Sequence, residues 1–255
     1  MKRVIFNQKG GVGKSTITVN LAAISASQGK KTLVIDMDPQ CNASRYLMGA
    51  AAGDLAPTLA DYFEQTLNFS LFTKPATAFI HATRFDNLSL MPSHPQIGEL
   101  QSKLESRHKI YKLRDTLVEL SKQFEAIYID TPPAYNFFTL SALIACENCL
   151  IPFDCDDFSR QALYTLLANV REIQEDHNDK LKVEGIVVNQ FQARAALPVK
   201  LVNELKAEGL PVLDSCLSSS VKIRESHEQS LPMIHLDARH KLAREYLALY
   251  EELNG

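Results

Sequence analysis

The run Lys9-Gly10-Gly11-Val12-Gly13-Lys14-Ser15-Thr16 constrains the fold of this 255-residue chain more than any other stretch. It follows an apolar segment at residues 4–7 and opens a long helical pattern at residues 14–28. Strand, glycine-rich loop and helix in that order gather main-chain N–H groups at a helix N-terminus. There they and the partial positive charge of the helix attract a phosphate. In such a loop Lys14 reaches the β- and γ-phosphates of a nucleotide and the Ser15 hydroxyl ligates Mg²⁺. A glycine-rich turn with incidental lysines is the bland alternative, and the order of the flanking elements weighs against it. The usual spacing, Gly-x-x-x-x-Gly-Lys-Ser, would put glycine at position 8, where the chain has Gln8 followed by Lys9.

Further apolar runs at residues 32–36, 126–130 and 185–189 are nearly continuous in Val, Ile and Leu. Such runs suit strands covered on both faces. Helical patterns at residues 111–123, 137–146, 161–175, 198–208 and 238–253 alternate with them, and Gly29 and Gly209 suit helix C-caps. Alternation of this kind predicts a doubly wound α/β fold, a mostly parallel sheet with helices on both faces. The segment 50–86 has no sustained periodicity and is expected to cover one sheet edge. With no repeat, linker or low-complexity tract, the economical reading is one domain spanning residues 1–255.

Open parallel sheets bind ligands in the crevice beyond the carboxyl ends of their strands. Asp36, Asp130 and Asn189 each end an apolar run, so they are expected to converge on the phosphate loop. Asp38, two residues past the tip at Asp36, adds a second carboxylate; a plain Asp/Pro turn is the rival. A capping role is the rival for Asn189.

Composition excludes little but excludes it firmly. With 45% hydrophobic and 22% charged residues the chain is of ordinary globular composition. A net charge of −3 gives no global attraction for nucleic acid or membrane, leaving only local patches. The apolar stretch after Met1-Lys2-Arg3 is too short for a signal-peptide core, so a cytoplasmic location is expected without stable membrane insertion. The cysteines Cys41, Cys146, Cys149, Cys155 and Cys216 are odd in number, and only Cys146 and Cys149 have metal-like spacing. Without a second pair, free thiols are the better reading.

The loop with its extra Lys9, the segment Asp36-Met37-Asp38-Pro39-Gln40, and Ile127-Tyr128-Ile129-Asp130-Thr131-Pro132-Pro133 together resemble the deviant Walker family that includes ParA and MinD. The resemblance runs from Arg3 to about Leu253 and is weakest across 50–86. It implies a P-loop ATPase that dimerises around ATP with Mg²⁺. Lys9 would cross the interface to the partner's nucleotide, Asp38 would position the attacking water, Asp130 would hold Mg²⁺ through a water beside the direct ligand Ser15, Asp36 would support the phosphate and Mg²⁺ site, and Asn189 would meet the adenine edge. It also implies slow basal hydrolysis, stimulated by a ParB-like or other activating protein.

Length, Asp38-Pro39-Gln40 and Thr131-Pro132-Pro133 resemble the small ParA type that positions DNA or other cargo and, in some cases, associates with the nucleoid. The acidic tip at Glu251 and Glu252 is unlike a basic, membrane-seeking MinD tail. Metabolic relatives lack the extra lysine. The resemblance further implies sequence-independent binding of duplex DNA, for which Arg194, Lys200, Lys222 and Arg224 are candidates, although each alone is also an ordinary surface charge. Where chromosomal partition ATPases carry Ile-Pro-Arg-Asn-Val, this chain has Leu217-Ser218-Ser219-Ser220-Val221, and residues 154–157 are unusually acidic. An alternative is therefore a nucleotide switch that docks on a protein partner at a pole or membrane complex without binding DNA.

Overall fold

Successive side chains of a strand point to opposite faces, so a strand sandwiched between helix layers must be apolar throughout. The computed structural model, which describes residues 1–68, 73–155, 159–192 and 196–255, has such strands at its centre. The strands are β1 (Lys2–Ile5), β2 (Thr32–Asp36), β3 (His81–Ala82), β4 (Leu88–Met91), β5 (Ala126–Asp130), β6 (Asn148–Asp154), β7 (Lys182–Phe191) and β8 (Val212–Ser218). They form one sheet in the order β3-β4-β2-β5-β1-β6-β7-β8, parallel except for β3 against β4. This is the doubly wound α/β architecture expected from the alternation of patterns.

Val4, Leu33, Ile35, Ile127, Ile129, Ile186 and Val188 enter one core, while Ile5, Val34, Tyr128 and Val187 enter the other. Withdrawal of each such side chain from water is worth about 1.5–3 kcal/mol. The second core is roofed by α1 (Lys14–Ser27), α2 (Asn42–Met48), α10 (Met233–Leu236) and α11 (Lys241–Glu252). The first is roofed by α3 (Leu59–Leu67), α4 (Ile97–Ser106), α5 (Lys112–Leu120), α6 (Phe137–Ala145), α7 (Ser159–Asp176) and α8 (Ala196–Ala207). The remaining helix, α9 (Lys222–Glu228), follows β8 directly. Gly29 has φ +86 and Gly209 φ +78, as the chain requires where it leaves α1 and α8.

β1 ends at Ile5, short of the expected residue 7. Phe6 still donates its N–H to Leu150, but Asn7 turns its side-chain amide onto the Pro152 carbonyl at 2.7 Å. That departure explains how β6, absent from the periodicity reading, tolerates a proline between two neighbours. Leu150 and Pro152 aim their main-chain groups at β1, and Pro152 lies where β1 has already left, so no ladder bond is lost. The segment 50–86 holds more order than expected. Leu59 and Phe63 of α3 enter the core, Thr58 and Asp61 cap the helix reciprocally, and β3 forms the sheet edge.

Candidate functional site

The loop between β1 and α1 leaves its donors free for an anion. Gly13 is the N-cap of α1 with φ +90, and no side chain caps that terminus. The first turn carries no acidic residue. A helix start lacking its usual Ser, Thr or Asp leaves N–H groups to be satisfied from outside the chain. Gly11 has φ +78, and a Cβ on Gly13 would lie 2.3 Å from the Asn189 amide nitrogen. Glycine is therefore required at Gly13 for its backbone conformation and for the space.

The tip of β7 explains that contact. Asn189 Nδ2 donates to the Val12 carbonyl at 2.9 Å, and Gln190 Nε2 donates to the Gly11 carbonyl at 3.2 Å. Both amides hold loop carbonyls to one side, which keeps the neighbouring N–H groups for an incoming phosphate. Asn189 thus meets the phosphate loop as expected, although it does not line the cavity itself.

Lys14 is 6% exposed, and its Nζ donates to the Lys9 carbonyl at 3.1 Å. Burial pushes its pKa down, opposed by Asp130 and Asp38. Lys9 lies at the rim, its main-chain N–H on Asn7 Oδ1 and its ammonium 3.9 Å from Asp154 at the tip of β6. Asp36 and Asp130 are register partners at the tips of β2 and β5. Asp36 is fully engaged: Oδ2 accepts from the Ser44 N–H and hydroxyl at 2.8 and 2.7 Å, and Oδ1 accepts from the Asp38 N–H. Burial pushes its pKa up to about 6. Asp36 therefore braces the loop from residue 37 into α2, and it is not among the residues lining the cavity.

Neither buried oxygen of Asp130 accepts a hydrogen bond of good geometry, although the Ser15 hydroxyl is close enough to moderate its pKa. Burial and the charge of Asp36 push that pKa well up. An orphaned buried carboxylate beside Ser15 fits a divalent cation that completes its shell with phosphate oxygens and water. No trio of His, Cys, Asp or Glu among the described residues could hold a metal unaided.

The cavity over the loop measures about 470 Å³. Gly10, Gly11, Gly13, Lys14, Ser15 and Thr16 form its floor, and Asp38 stands at its side. Asp38 is 5% exposed, accepts the Gln40 N–H at 2.9 Å, and has its pKa raised by burial against the lowering effect of Gln40 and Lys14. The rest of the wall is Gln40, Asn42, Arg45, Tyr46, Pro133 and His227. Asn42, Arg45, Tyr46 and His227 escaped sequence reasoning because α2 and α9 are each seven residues long. His227 Nε2 lies 3.0 Å from Thr16 Oγ1, and its ring sits edge-on to Tyr46 at 4.4 Å. Burial lowers the His227 pKa.

Among the described residues, no basic candidate for DNA contact lines this cavity. Lys200 on α8 pairs with Glu204 at 3.8 Å, Lys222 on α9 pairs with Glu225 at 2.8 Å, and Arg224 is exposed. Arg194 lies outside the described residues. Cys146 and Cys149 are buried, and burial pushes both thiols up in pKa.

Residues 2–183 match a family model described as an AAA domain. The chromosome partitioning protein ParA of Myxococcus xanthus is 33% identical over 98% of this chain and 86% of its own length. A McdA variant from Cyanothece, solved in complex with ATP, superposes with a TM-score of 0.86 at 24% identity, covering 100% of this chain and 96% of that one. The cobyrinic acid a,c-diamide synthase of Mycobacterium smegmatis, solved with an ATP analogue and magnesium, gives 0.83 at 22% identity over 98% and 92%. At such identities the two structures speak for the fold, which hosts more than one chemistry. The family match over most of the chain, and the ParA match over nearly all of it, place the chain in the ParA/MinD family of P-loop ATPases.

Proposed function

We propose that this protein is a ParA-type ATPase that positions DNA or another large cargo through an ATP-dependent homodimer. The observation carrying the ATP chemistry is the meeting, at one cavity, of an uncapped helix N-terminus, Lys14 and Asp38. The loop N–H groups and Lys14 would bind the phosphates, and Asn189, with Nδ2 on Val12, keeps its Oδ1 to accept from an adenine amino group. Ser15 and Asp130 would hold Mg²⁺, which when bound neutralises phosphate charge. Asp38 would orient a water for in-line attack on the γ-phosphorus. The new phosphorus–oxygen bond forms as the bond to the β,γ-bridging oxygen breaks, and the water's proton passes to solvent or phosphate. Lys9, whose ammonium lies 3.9 Å from Asp154 in its own subunit, would reach a partner's phosphates across the dimer.

Phosphate release should require Mg²⁺, rise more than linearly with protein concentration, and vanish in Lys14→Ala. Release that is strictly linear in protein concentration would exclude a dimer-completed site. DNA association is expected to be phosphate-directed, through Lys222, Arg224, Lys200 and Arg194, with an activating protein accelerating hydrolysis and release. A specific observation favours the second reading, a switch that docks on a protein partner without DNA: Lys200 and Lys222 each pair with a neighbouring glutamate that a DNA phosphate would have to displace. No helix among the described residues is long and apolar enough to cross a membrane. A partner complex that survives nuclease treatment, with no DNA retained at low salt, would select that reading.

A further inference from the structure

The cavity has a basic residue on its open side that the loop chemistry does not use. Arg45 lies on α2 between Ser44 and Tyr46, and it lines the cavity together with Asn42 and His227. Both neighbours of Arg45 are anchored. Ser44 is bonded to Asp36, while Tyr46 is buried, receives the Asn20 amide at 3.2 Å and meets the Ser226 hydroxyl. The Arg45 main chain is tied as well: its N–H donates to Cys41 at 2.9 Å and its carbonyl accepts from the Ser230 hydroxyl at 3.4 Å. Its guanidinium, by contrast, makes no hydrogen bond, ion pair or ring contact among the described residues.

Charge bookkeeping shows what such a group contributes. The other ionisable side chains on the wall are Lys14 and Asp38, whose formal charges cancel, His227, which burial holds toward its neutral form, and Tyr46, whose phenol burial keeps protonated. Without Arg45 the side chains of the wall are formally neutral, and a polyphosphate is drawn in by the loop N–H groups and the helix N-terminus alone; with Arg45 the wall also carries one positive charge. A guanidinium is weakly hydrated and presents a planar fork of donors matched to phosphate oxygens. Its anchored backbone lowers the ordering cost of using it.

We propose that Arg45 is a phosphate-binding residue contributed in cis, contacting the nucleotide from the open side of the cavity while Lys14 does so from the buried side. The proposal rests on the ATP reading above and adds a specificity-determining contact from α2.

Equilibrium titration with a fluorescent N-methylanthraniloyl ATP and Mg²⁺ tests it on the full chain, comparing wild type with Arg45→Gln, Arg45→Lys and Lys14→Ala. Arg45→Gln should raise Kd roughly tenfold, the size expected of a lost charge-assisted hydrogen bond, and should leave the nucleotide-free melting temperature unchanged. Arg45→Lys should recover part of the affinity. A Kd for Arg45→Gln within twofold of wild type, beside a large loss in Lys14→Ala, overturns the Arg45 assignment and leaves the ATP reading standing. A wild type that does not bind the analogue overturns the ATP reading itself. Weaker binding matched by a lower nucleotide-free melting temperature, and unrelieved in Arg45→Lys, shows a structural role and overturns the proposal.

Discussion

Both carboxylate oxygens of Asp130 are buried without a hydrogen bond, across the ladder from Asp36. The pKa values of both groups are raised, that of Asp36 to about 6. A raised pKa means the folded chain holds the proton more tightly than the unfolded one. The associated stability is therefore present in acid and lost as pH climbs above the ordinary carboxylate range, for Asp36 through about 6. For Asp36 the loss at neutral pH is on the order of 2–3 kcal/mol. Denaturant unfolding of the nucleotide-free protein should show stability falling over that window. Asp130→Asn should flatten the fall and stabilise the neutral protein by about 1–3 kcal/mol, while abolishing the gain from Mg²⁺ and ATP. Identical pH slopes for wild type and variant would remove Asp130 as a source of the cost. Gly13→Ala poses the opposite case: a left-handed φ and the Asn189 amide both resist the methyl group. It should lower stability by about 1–3 kcal/mol and weaken ATP binding, as calorimetry would show.

At the level of elements, legibility followed length and apolar continuity. β2 and β5 begin and end where the apolar runs do, because each position faces a core. β6 was hidden by Pro152, whose acceptability depends on β1 stopping at Ile5, a fact about the neighbouring strand that no local pattern carries. The phosphate loop was legible because its chemistry is written in consecutive residues. Arg45, Tyr46 and His227 were not, because the cavity wall is assembled from two short helices far apart in sequence. The acidic end of α11 likewise has a use invisible in sequence. Glu252 accepts the Asp214 and Ser215 N–H groups of β8 at 2.7 and 2.8 Å, and Glu245 accepts the Ser218 N–H and hydroxyl at 2.8 and 2.6 Å. Glu245→Ala should cost about 1–2 kcal/mol and speed hydrogen exchange at the Ser218 amide. Unchanged exchange there would show that the carboxylate does not hold that strand end.

On the scale of the whole molecule, the carboxyl edge of the sheet gathers the phosphate loop, Asp38 and the rim lysine Lys9, while α9, with Lys222 and Arg224, leaves the same edge. Asp38→Ala should therefore accumulate an ATP-bound dimer, visible by light scattering, with phosphate release reduced by at least about 10²-fold; a variant hydrolysing at the wild-type rate would unseat Asp38. DNA retention, if present, should require ATP and fall steeply with added salt; retention indifferent to nucleotide would detach it from the dimer cycle. The two lateral borders of the sheet carry a separate consequence. One border is β3, only two residues long, and the other is β8, where the main-chain donors of Asp214, Ser215 and Ser218 are held by the carboxylates of α11. Both borders thus offer a second copy little ladder to extend. Two copies of this chain are therefore expected to meet through helical faces rather than by continuing the sheet from one subunit to the next.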